Sequence, residues 1–332
     1  MEKIAFISGG TFIYWSSIIL ALAAVTAIAF YMATYLAKGG NVTGMCLSVP
    51  IALILAVVLG RFFHWYSRAD AYESFQAAMT EYASGGYALM GAFFACLITA
   101  CLLRLVRLVP NLPRMLDSMV IGGGIGIAVG RLASLFNSSD RGVVVPDSVG
   151  FPFAYPVVNA VSGVAENRLA TFMIQSMLTG SIVALLVLHM LICALAKKKV
   201  KDGDTCLMFL LAYGACQIVC DSTRYDSLFL RSNGFISIVQ ILGLIALLVP
   251  IIVFSVRLVK HRGFKVWQVI MWLVIAGLMG AAAYMEYYVQ RHGGEAVFAY
   301  SVMSASLTCV VLLSLVIRSL GLTRHKEKKA KA

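Results

Sequence analysis

Long apolar runs separated by short polar segments occupy almost the whole chain. A membrane-spanning helix needs about 20 predominantly apolar residues, and nine runs reach or approach that length. They cover residues 12–36, 44–63, 87–109, 115–131, 170–195, 205–220, 234–256, 266–285 and 298–317. The pattern therefore predicts an all-α polytopic integral membrane protein.

Two longer polar segments, residues 64–86 and 132–169, interrupt the apolar runs. The first has large apolar side chains at helical spacing, which predicts an amphipathic helix lying in the membrane interface. These side chains are Tyr72, Phe75, Met79 and Tyr82. The second segment has prolines among glycines and aromatic residues, which predicts an irregular, partly extended cap.

The composition supports the membrane class. Of the 332 residues, 61% are hydrophobic and 13% are charged, whereas soluble domains carry about 25% charged residues. The first apolar run is too long for the core of a cleavable signal peptide, so we expect it to remain in the mature protein. The eight cysteines lie almost wholly in apolar runs, and we expect no structural disulfide.

The distribution of charge predicts the orientation of the spans and argues against nucleic acid as a partner, although the net charge is +12. With the N-terminus outside, 18 of the 27 lysines and arginines but only 4 of the 15 acidic residues fall in inner segments. This positive-inside pattern predicts a cytoplasmic C-terminus. The basic tail "RHKEKKAKA" at 324–332 is then expected to lie near anionic lipid.

The stretch "GIAVGRLASLFNSSDRG", residues 126–142, turns from apolar to polar at Arg131. An arginine facing lipid at the centre of a span costs about 2.5–3.5 kcal/mol. Arg131 therefore either extends to the headgroup layer or holds an anionic group. Glycines are frequent in the preceding run and create a small face that admits close neighbours, so we expect Arg131 to point inward.

Three more arginines, Arg61, Arg141 and Arg224, lie at predicted outer ends of spans or beside them. A guanidinium is planar, stays charged and contacts phosphate through two hydrogen bonds, so such a cluster suits a phospholipid headgroup. The alternative for each arginine is an interfacial position with the charged end in water.

A few other polar residues are candidates for chemistry. Asp221 lies one helical turn from Arg224 and could simply pair with it. Asp117 begins the fourth span and is interpreted as its N-cap. His64, at an outer edge, is either an ordinary interfacial histidine or a proton acceptor. No metal-binding or nucleophile motif is present in the sequence, so we expect neither a metal nor a cofactor.

Three stretches resemble bacterial prolipoprotein diacylglyceryl transferases in order and spacing. They are "GGYALMGAFFACLITACLLR" (85–104), "LDSMVIGGGIGIAVGRLASLFNSSDRG" (116–142) and "LLAYGACQIVCDSTRYDS" (210–227), with weaker matches at 57–66 and 233–245. The resemblance implies a seven-span core over residues 1–258, followed by two extra spans and the basic tail at 259–332.

The resemblance also implies an activity and a location. Members of that family move the diacylglyceryl group of phosphatidylglycerol onto the lipobox cysteine thiol of a secreted prolipoprotein. They act without a metal at the outer face of the bacterial plasma membrane. The expected partners are therefore phosphatidylglycerol or another anionic phospholipid, the lipobox peptide and the membrane itself.

The residues and the resemblance together give two sets of candidate site residues. The candidate lipid-binding residues are Arg131, Arg61, Arg224, Asn137, Gly142, Tyr14 and Ser134. The candidate catalytic residues are Arg131, Asp221 and His64. Arg131 is expected to be the principal headgroup ligand.

The chain departs from the family pattern at several positions. The family's third-span histidine is Met90, its sixth-span arginine is Gln217, its sixth-span glutamate is Asp221, and the glutamate after the Arg131 motif is Ser139. Loss of a proton acceptor typically costs 10²–10⁴ in rate. Loss of the arginine removes a positive charge that would balance developing charge on phosphate.

Two functional hypotheses follow. The first is a divergent transferase in which His64, Asp221 or the substrate itself accepts the proton. The second is a non-catalytic lipid- or lipoprotein-binding relative. A transporter is a third class, but the sequence lacks an inverted repeat and an evident charged residue in the middle of a span, both of which are common in transporters.

Overall fold

The computed structural model describes residues 3–9, 11–69, 72–80, 86–137, 140–158, 163–198, 200–229, 236–293 and 295–322. Tyr82, Ser139 and the basic tail at 324–332 lie outside the described residues. Nothing in the structure therefore tests the predictions made for those three parts of the chain.

Helices dominate the described chain. Those that match the predicted spans are α1 (Trp15–Ala37), α2 (Val42–Ser67), α4 (Leu89–Leu105), α5 (Leu112–Arg131), α6 (Thr171–Leu195), α7 (Asp204–Ser222), α8 (Ile238–Arg262), α9 (Val266–His292) and α10 (Ala296–Leu322). Within the described residues, eight are long and apolar enough to cross a membrane, and α4 is a shorter apolar helix. The all-α polytopic class is confirmed, while the orientation of the helices stays a prediction.

A small hairpin precedes the first helix. Strand β1 (Ile4–Ser8) pairs antiparallel with β2 (Thr11–Tyr14). Gly9 has a φ of +54°, a left-handed conformation that glycine adopts without steric cost. The predicted span began at residue 12, but the helix begins at Trp15 because the preceding residues form this ladder.

The two polar segments differ in how they fold. The first contains α3 (Phe75–Thr80), which is shorter than the predicted amphipathic helix, with Tyr72 preceding it. The second begins with a 3₁₀ turn, Leu132–Leu135. It also contains an antiparallel pair, β3 (Ala154–Val158) and β4 (Ala165–Leu169), so the predicted partly extended structure is confirmed.

The chain divides into two compact units. Unit 1 contains Met1–Cys206 and Arg224–Arg231, and in it α1 packs on α5 and α2 packs on α4. A Cβ atom on Gly122 would lie 2.4 Å from the carbonyl oxygen of Ala27. Only glycine permits this approach, so the predicted small face of α5 is confirmed. The close packing of α1 fixes the end of α5 that carries Arg131.

The interpretation of Asp117 as an N-cap is wrong. The side chain of Asn111 caps α5 by accepting from the Arg114 amide at 3.2 Å. Asp117 is fully buried. It accepts from the amides of Gly203 at 2.9 Å and Cys206 at 2.7 Å, and from Lys38 Nζ at 2.9 Å. Asp117 therefore caps the beginning of α7 rather than that of its own helix.

Unit 2 contains Leu207–Thr223 and Ser232–Ala332, which are most of α7 together with α8, α9 and α10. A Cβ atom on Gly214 of α7 would lie 2.6 Å from the carbonyl oxygen of Gly243 in α8, so these two helices approach closely. Helix α9 continues to His292, beyond the predicted end at residue 285. The extension places Glu286 inside an apolar helix.

Candidate functional site

Three candidate lipid-binding residues of unit 1 converge on one carboxylate. Arg131, the last residue of α5, donates from Nη1 to Asp140 Oδ1 at 2.7 Å. Arg224 Nη2 lies 2.7 Å from the same oxygen. Ser134 donates from Oγ to Asp140 Oδ2 at 2.8 Å. Two guanidinium groups and a hydroxyl thus form a site that holds an oxygen anion.

A second carboxylate completes the network. Arg224 donates from Nε to Asp226 Oδ1 at 2.9 Å, and the backbone amide of Asp140 donates to Asp226 Oδ2 at 2.9 Å. The described ion pairs of Arg224 are with Asp140 and Asp226, and the pairing with Asp221 that the sequence offered stays a prediction. Two positive and two negative groups alternate, so their charges balance.

The environment of Asp140 keeps its carboxyl ionised. Burial raises the pKa of Asp140, but the positive charges of Arg131 and Arg224 outweigh burial and lower the pKa to about 2. The hydrogen bond from Ser134 acts in the same direction. Asp140 also has a φ of +57°, in the left-handed region that non-glycine residues rarely adopt. The backbone is therefore held in an uncommon conformation at this residue.

Arg141 forms the floor of the site. Its side chain is buried and donates from Nη2 to the carbonyl oxygens of Ser134 at 2.8 Å and Asn137 at 2.9 Å. The guanidinium carbon lies 4.5 Å from the ring centroid of Tyr155 and 4.4 Å from that of Phe172. Burial lowers the pKa of Arg141, but an arginine stays charged at neutral pH. Arg141 thereby fixes the turn that carries Ser134 and Asn137.

The backbone around Gly142 joins two distant parts of the chain. Gly142 forms an antiparallel bridge with Arg224, and its amide donates to the carbonyl oxygen of Leu169 at 2.8 Å. The amide of Tyr225 donates to the carbonyl oxygen of Arg141 at 3.1 Å. This pairing explains how Arg224 reaches the end of α5.

Arg61 and His64 lie near the end of α2. Arg61 is fully buried and donates to the carbonyl oxygens of Ala78 and Gly86. Its guanidinium lies 5.1 Å from the ring centroid of Tyr72. His64 Nδ1 shares a hydrogen bond of 2.8 Å with the hydroxyl of Tyr72. Both residues thus hold the segment after α2, and their roles in lipid binding and proton transfer stay predictions.

Tyr14 and Asp221 are the remaining candidates. Tyr14 ends β2 and is 45% exposed, while the next residue, Trp15, stacks on Phe136 with ring centroids 6.1 Å apart. Asp221 belongs to unit 2, is buried, and accepts a hydrogen bond from the hydroxyl of Ser237, the N-cap of α8.

Sequence reasoning missed the acidic residues of the network. Asp140 directly follows Ser139, the position at which the resemblance has a glutamate. The signal in the sequence was therefore a carboxylate one residue after the expected position. Asp226 had a weaker signal, its place two residues after Arg224. Among the described residues, no group of three or more histidines, cysteines or acids could hold a metal ion.

Met90, which the resemblance places at the family's third-span histidine, is buried. Met90 is 6% exposed and begins α4 with Leu89. A Cβ atom on the next residue, Gly91, would lie 2.2 Å from the backbone nitrogen of Gly60. Met90 therefore directly precedes the glycine at which α4 packs closely on α2, and its thioether is at best a weak acceptor.

The described helices define the class, a polytopic helical membrane protein. A family model of the prolipoprotein diacylglyceryl transferase matches residues 3–256, which is more than half of the chain. The chain belongs to this family. Helices α9 and α10 lie beyond the matched residues.

Several bacterial relatives are named phosphatidylglycerol–prolipoprotein diacylglyceryl transferase. The protein of Finegoldia magna is 24% identical over 262 residues, covering 78% of this chain and 98% of the relative. That of Lactococcus lactis subsp. cremoris is 26% identical over 267 residues, covering 79% of this chain and 97% of the relative. That of Bacillus licheniformis is 23% identical over 278 residues, covering 81% and 97%.

Proposed function

We propose that this protein binds an anionic glycerophospholipid of the phosphatidylglycerol type at the outer face of the bacterial plasma membrane. We further propose that it transfers the lipid's diacylglyceryl group to a lipoprotein cysteine thiol. Arg131 and Arg224 are the proposed headgroup ligands, with Ser134 as a hydrogen-bond donor. The names of the relatives support the substrate class.

One observation carries the proposal. Arg131 and Arg224 come from distant parts of the chain, yet both lie 2.7 Å from one oxygen of Asp140. Groups that hold a carboxylate in this way have the charge and donor geometry to hold a phosphate oxygen. A headgroup phosphate enters by exchanging with the Asp140 carboxylate.

The arginines also suit the proposed reaction. The thiolate sulfur forms a bond to a glycerol carbon of the lipid, and the bond from that carbon to the phosphate oxygen breaks. The leaving glycerol phosphate gains negative charge as the bond breaks. Positive groups fixed beforehand around that charge stabilise the transition state. Arg131 and Arg224 supply this charge.

The thiol must also lose a proton. Met90 cannot accept it, and a free thiol of pKa about 8.5 is only a few per cent ionised at neutral pH. Positive charge from the two arginines favours the thiolate, and His64 and Asp221 are the remaining proposed acceptors. Slow transfer is the expected result.

A non-catalytic lipid- or lipoprotein-binding protein is the second candidate function. Two observations favour it: Met90 replaces the family's histidine in a buried position, and the charges of Arg131 and Arg224 are already balanced by Asp140 and Asp226. The phosphate-binding residues are partly kept in this chain, whereas the proton acceptor is not.

One experiment distinguishes these two functions. Purified full-length protein is incubated with phosphatidylglycerol and a lipobox peptide. Mass spectrometry measures lipid retention and diacylglyceryl peptide in one sample. We expect retention by the wild type, loss in Arg131→Ala, and partial rescue in Arg131→Lys, because a point charge lacks the two-pronged contact.

The matched control is Arg104→Ala, which changes an exposed arginine in α4 and should leave retention unchanged. Retention without modified peptide would favour the non-catalytic function. Equal retention by the wild type and both Arg131 variants would contradict the proposed headgroup site.

A further inference from the structure

The polarity of the N-terminal hairpin changes along its length. The cross-strand pairs nearest α1 are apolar or aromatic, and they are Ile4 with Tyr14, Phe6 with Ile13, and Ile7 with Phe12. The pair at the tip is Ser8 with Thr11. No residue from 4 to 15 carries a charge. The hairpin is therefore apolar beside the first spanning helix and polar at its far end.

Both faces of the hairpin are apolar and exposed. Neighbouring side chains of a strand point to opposite faces, so Phe6 and Ile7 lie on opposite sides of the sheet. Phe6 is 52% exposed and Ile7 is 63% exposed, and Phe12, opposite Ile7 on the other strand, is 51% exposed. An antiparallel sheet that packs on protein with one face is commonly polar on the other. This hairpin does not have that pattern.

The hairpin is joined to α1 without a linker. The backbone amide of Trp15, the first residue of α1, donates to the carbonyl oxygen of Lys3 at 3.1 Å. Helix α1 is long and apolar enough to cross a membrane. The apolar end of the hairpin therefore continues the exposed apolar surface of a spanning helix, and the position of α1 sets the depth of the hairpin.

Neither water nor hydrocarbon alone suits such a hairpin. An isolated two-stranded hairpin is at best marginally stable in water, and large exposed apolar patches mark interaction surfaces. In hydrocarbon, the unpaired backbone groups at the two sheet edges would have no hydrogen-bond partner, which is costly. The membrane interface offers apolar contact and water together, and tyrosine and tryptophan are enriched there, as at Tyr14 and Trp15.

We propose that the partner of this hairpin is the lipid headgroup layer, in the leaflet where α1 begins. The hairpin crosses that layer with its base among the ends of the acyl chains and its tip in water. A polarity that changes along the strands matches surroundings that change with depth, whereas a protein partner would cover one face. The inference rests on the membrane class of the chain and not on the proposed transfer reaction.

The hairpin also lies beside the turn that follows α5. Trp15 stacks on Phe136 with ring centroids 6.1 Å apart. Phe136 directly precedes Asn137, whose carbonyl oxygen accepts from Arg141 at 2.9 Å. A hairpin held in the headgroup layer would therefore keep this turn at the depth of the lipid phosphates.

Fluorescence quenching from the two sides of the interface tests the proposal. A fluorescent amino acid is introduced by stop-codon suppression, one position at a time, in the full-length protein in bilayer discs of phosphatidylglycerol and phosphatidylcholine. The positions are Ile4, Phe6, Ile7 and Ser8. Lipid brominated on its acyl chains quenches from the membrane, and iodide quenches from water. We expect quenching by brominated lipid to decrease from position 4 to position 8 and quenching by iodide to increase. Positions 6 and 7 should behave alike although they lie on opposite faces.

Two exposed residues of unit 1 are the matched controls. A label at Leu20 of α1 should be quenched by brominated lipid, and a label at Asp147 of the second polar segment should be quenched by iodide. Strong iodide quenching at all four hairpin positions would place the hairpin in water and overturn the proposal. Shielding of only one of positions 6 and 7 would indicate a protein partner, such as a second copy of this chain, and would also overturn it.

Discussion

Arg131 and Arg224 share one carboxylate oxygen of Asp140, each at 2.7 Å. The first residue ends α5, and the second lies in a segment that an antiparallel bridge to Gly142 brings beside it. Because both guanidinium groups already hold an anion, any phosphate must compete with Asp140. We therefore expect Asp140 to set the affinity of the proposed headgroup site.

Asp140→Asn should increase the retention of phosphatidylglycerol by about tenfold, because the amide keeps the size of the side chain but no longer competes as an anion. Native mass spectrometry of the purified protein measures the change. Glu166→Gln removes another carboxylate of unit 1, which pairs with Arg168, and should have little effect. Weaker retention in Asp140→Asn would indicate that the carboxylate positions the arginines instead.

The stability of the protein should depend on pH through Asp140. Its pKa is lowered from 3.8 to about 2 in the folded protein, so the unfolded chain binds the proton more readily. The ion pairs then contribute about 2 kcal/mol at neutral pH. That contribution should be lost progressively as the pH falls from about 5 toward 2. Thermal unfolding in detergent at several pH values measures this loss of stability, which should be smaller in Asp140→Asn. Parallel curves of stability against pH for the wild type and the variant would contradict the assignment of this pH dependence to Asp140.

Two adjacent glycines of α5 should respond oppositely to alanine. Gly122→Ala places a Cβ atom 2.4 Å from the carbonyl oxygen of Ala27, and separating the helices should cost about 1–3 kcal/mol. Gly123 has no atom within 4 Å of the corresponding position, so Gly123→Ala should stabilise by about 0.5–1 kcal/mol. Thermal unfolding of the two variants compares them directly. Equal effects would mean that α1 and α5 are not packed this closely.

Restoring the family residues should restore transfer. Met90→His returns a proton acceptor and Gln217→Arg returns a positive charge, and both act in one transition state. The gain in activity of the double variant should therefore exceed the gain expected if the effects of the two single substitutions were independent. Complementation of a bacterium depleted of its own diacylglyceryl transferase measures this gain. Full complementation by the wild type would show that the reaction does not require the histidine.

The lengths of the apolar runs predicted the helices well because a membrane span depends on local composition. The hairpin before α1 was missed for a related reason: Phe12 and Ile13 are apolar and extend the hydrophobic run although they lie in a strand. The predicted eighth span ended before Glu286 because a charged residue terminates a hydropathy pattern. Packing of α9 against its neighbours continues the helix past that residue.

The site was predicted less completely than the helices. Arg131 was identified because a charge ending an apolar run is a local signal. Its partner Asp140 could not be predicted without knowing that the turn has an uncommon backbone conformation. The approach of Arg224 could not be predicted without knowing that a bridge joins two distant segments. Such pairings depend on tertiary structure, which single-sequence periodicity does not contain.

The balanced charges around Asp140 affect how a lipid would reach the site. Two arginines and two aspartates in alternation form a chain of short ion pairs. The fields of these four groups largely cancel beyond a few ångströms, so the long-range attraction of the site for an anionic molecule comes mainly from the single buried charge of Arg141. An anionic headgroup would therefore arrive mainly by lateral diffusion in the membrane and be selected on contact, by the exchange of one anion for another.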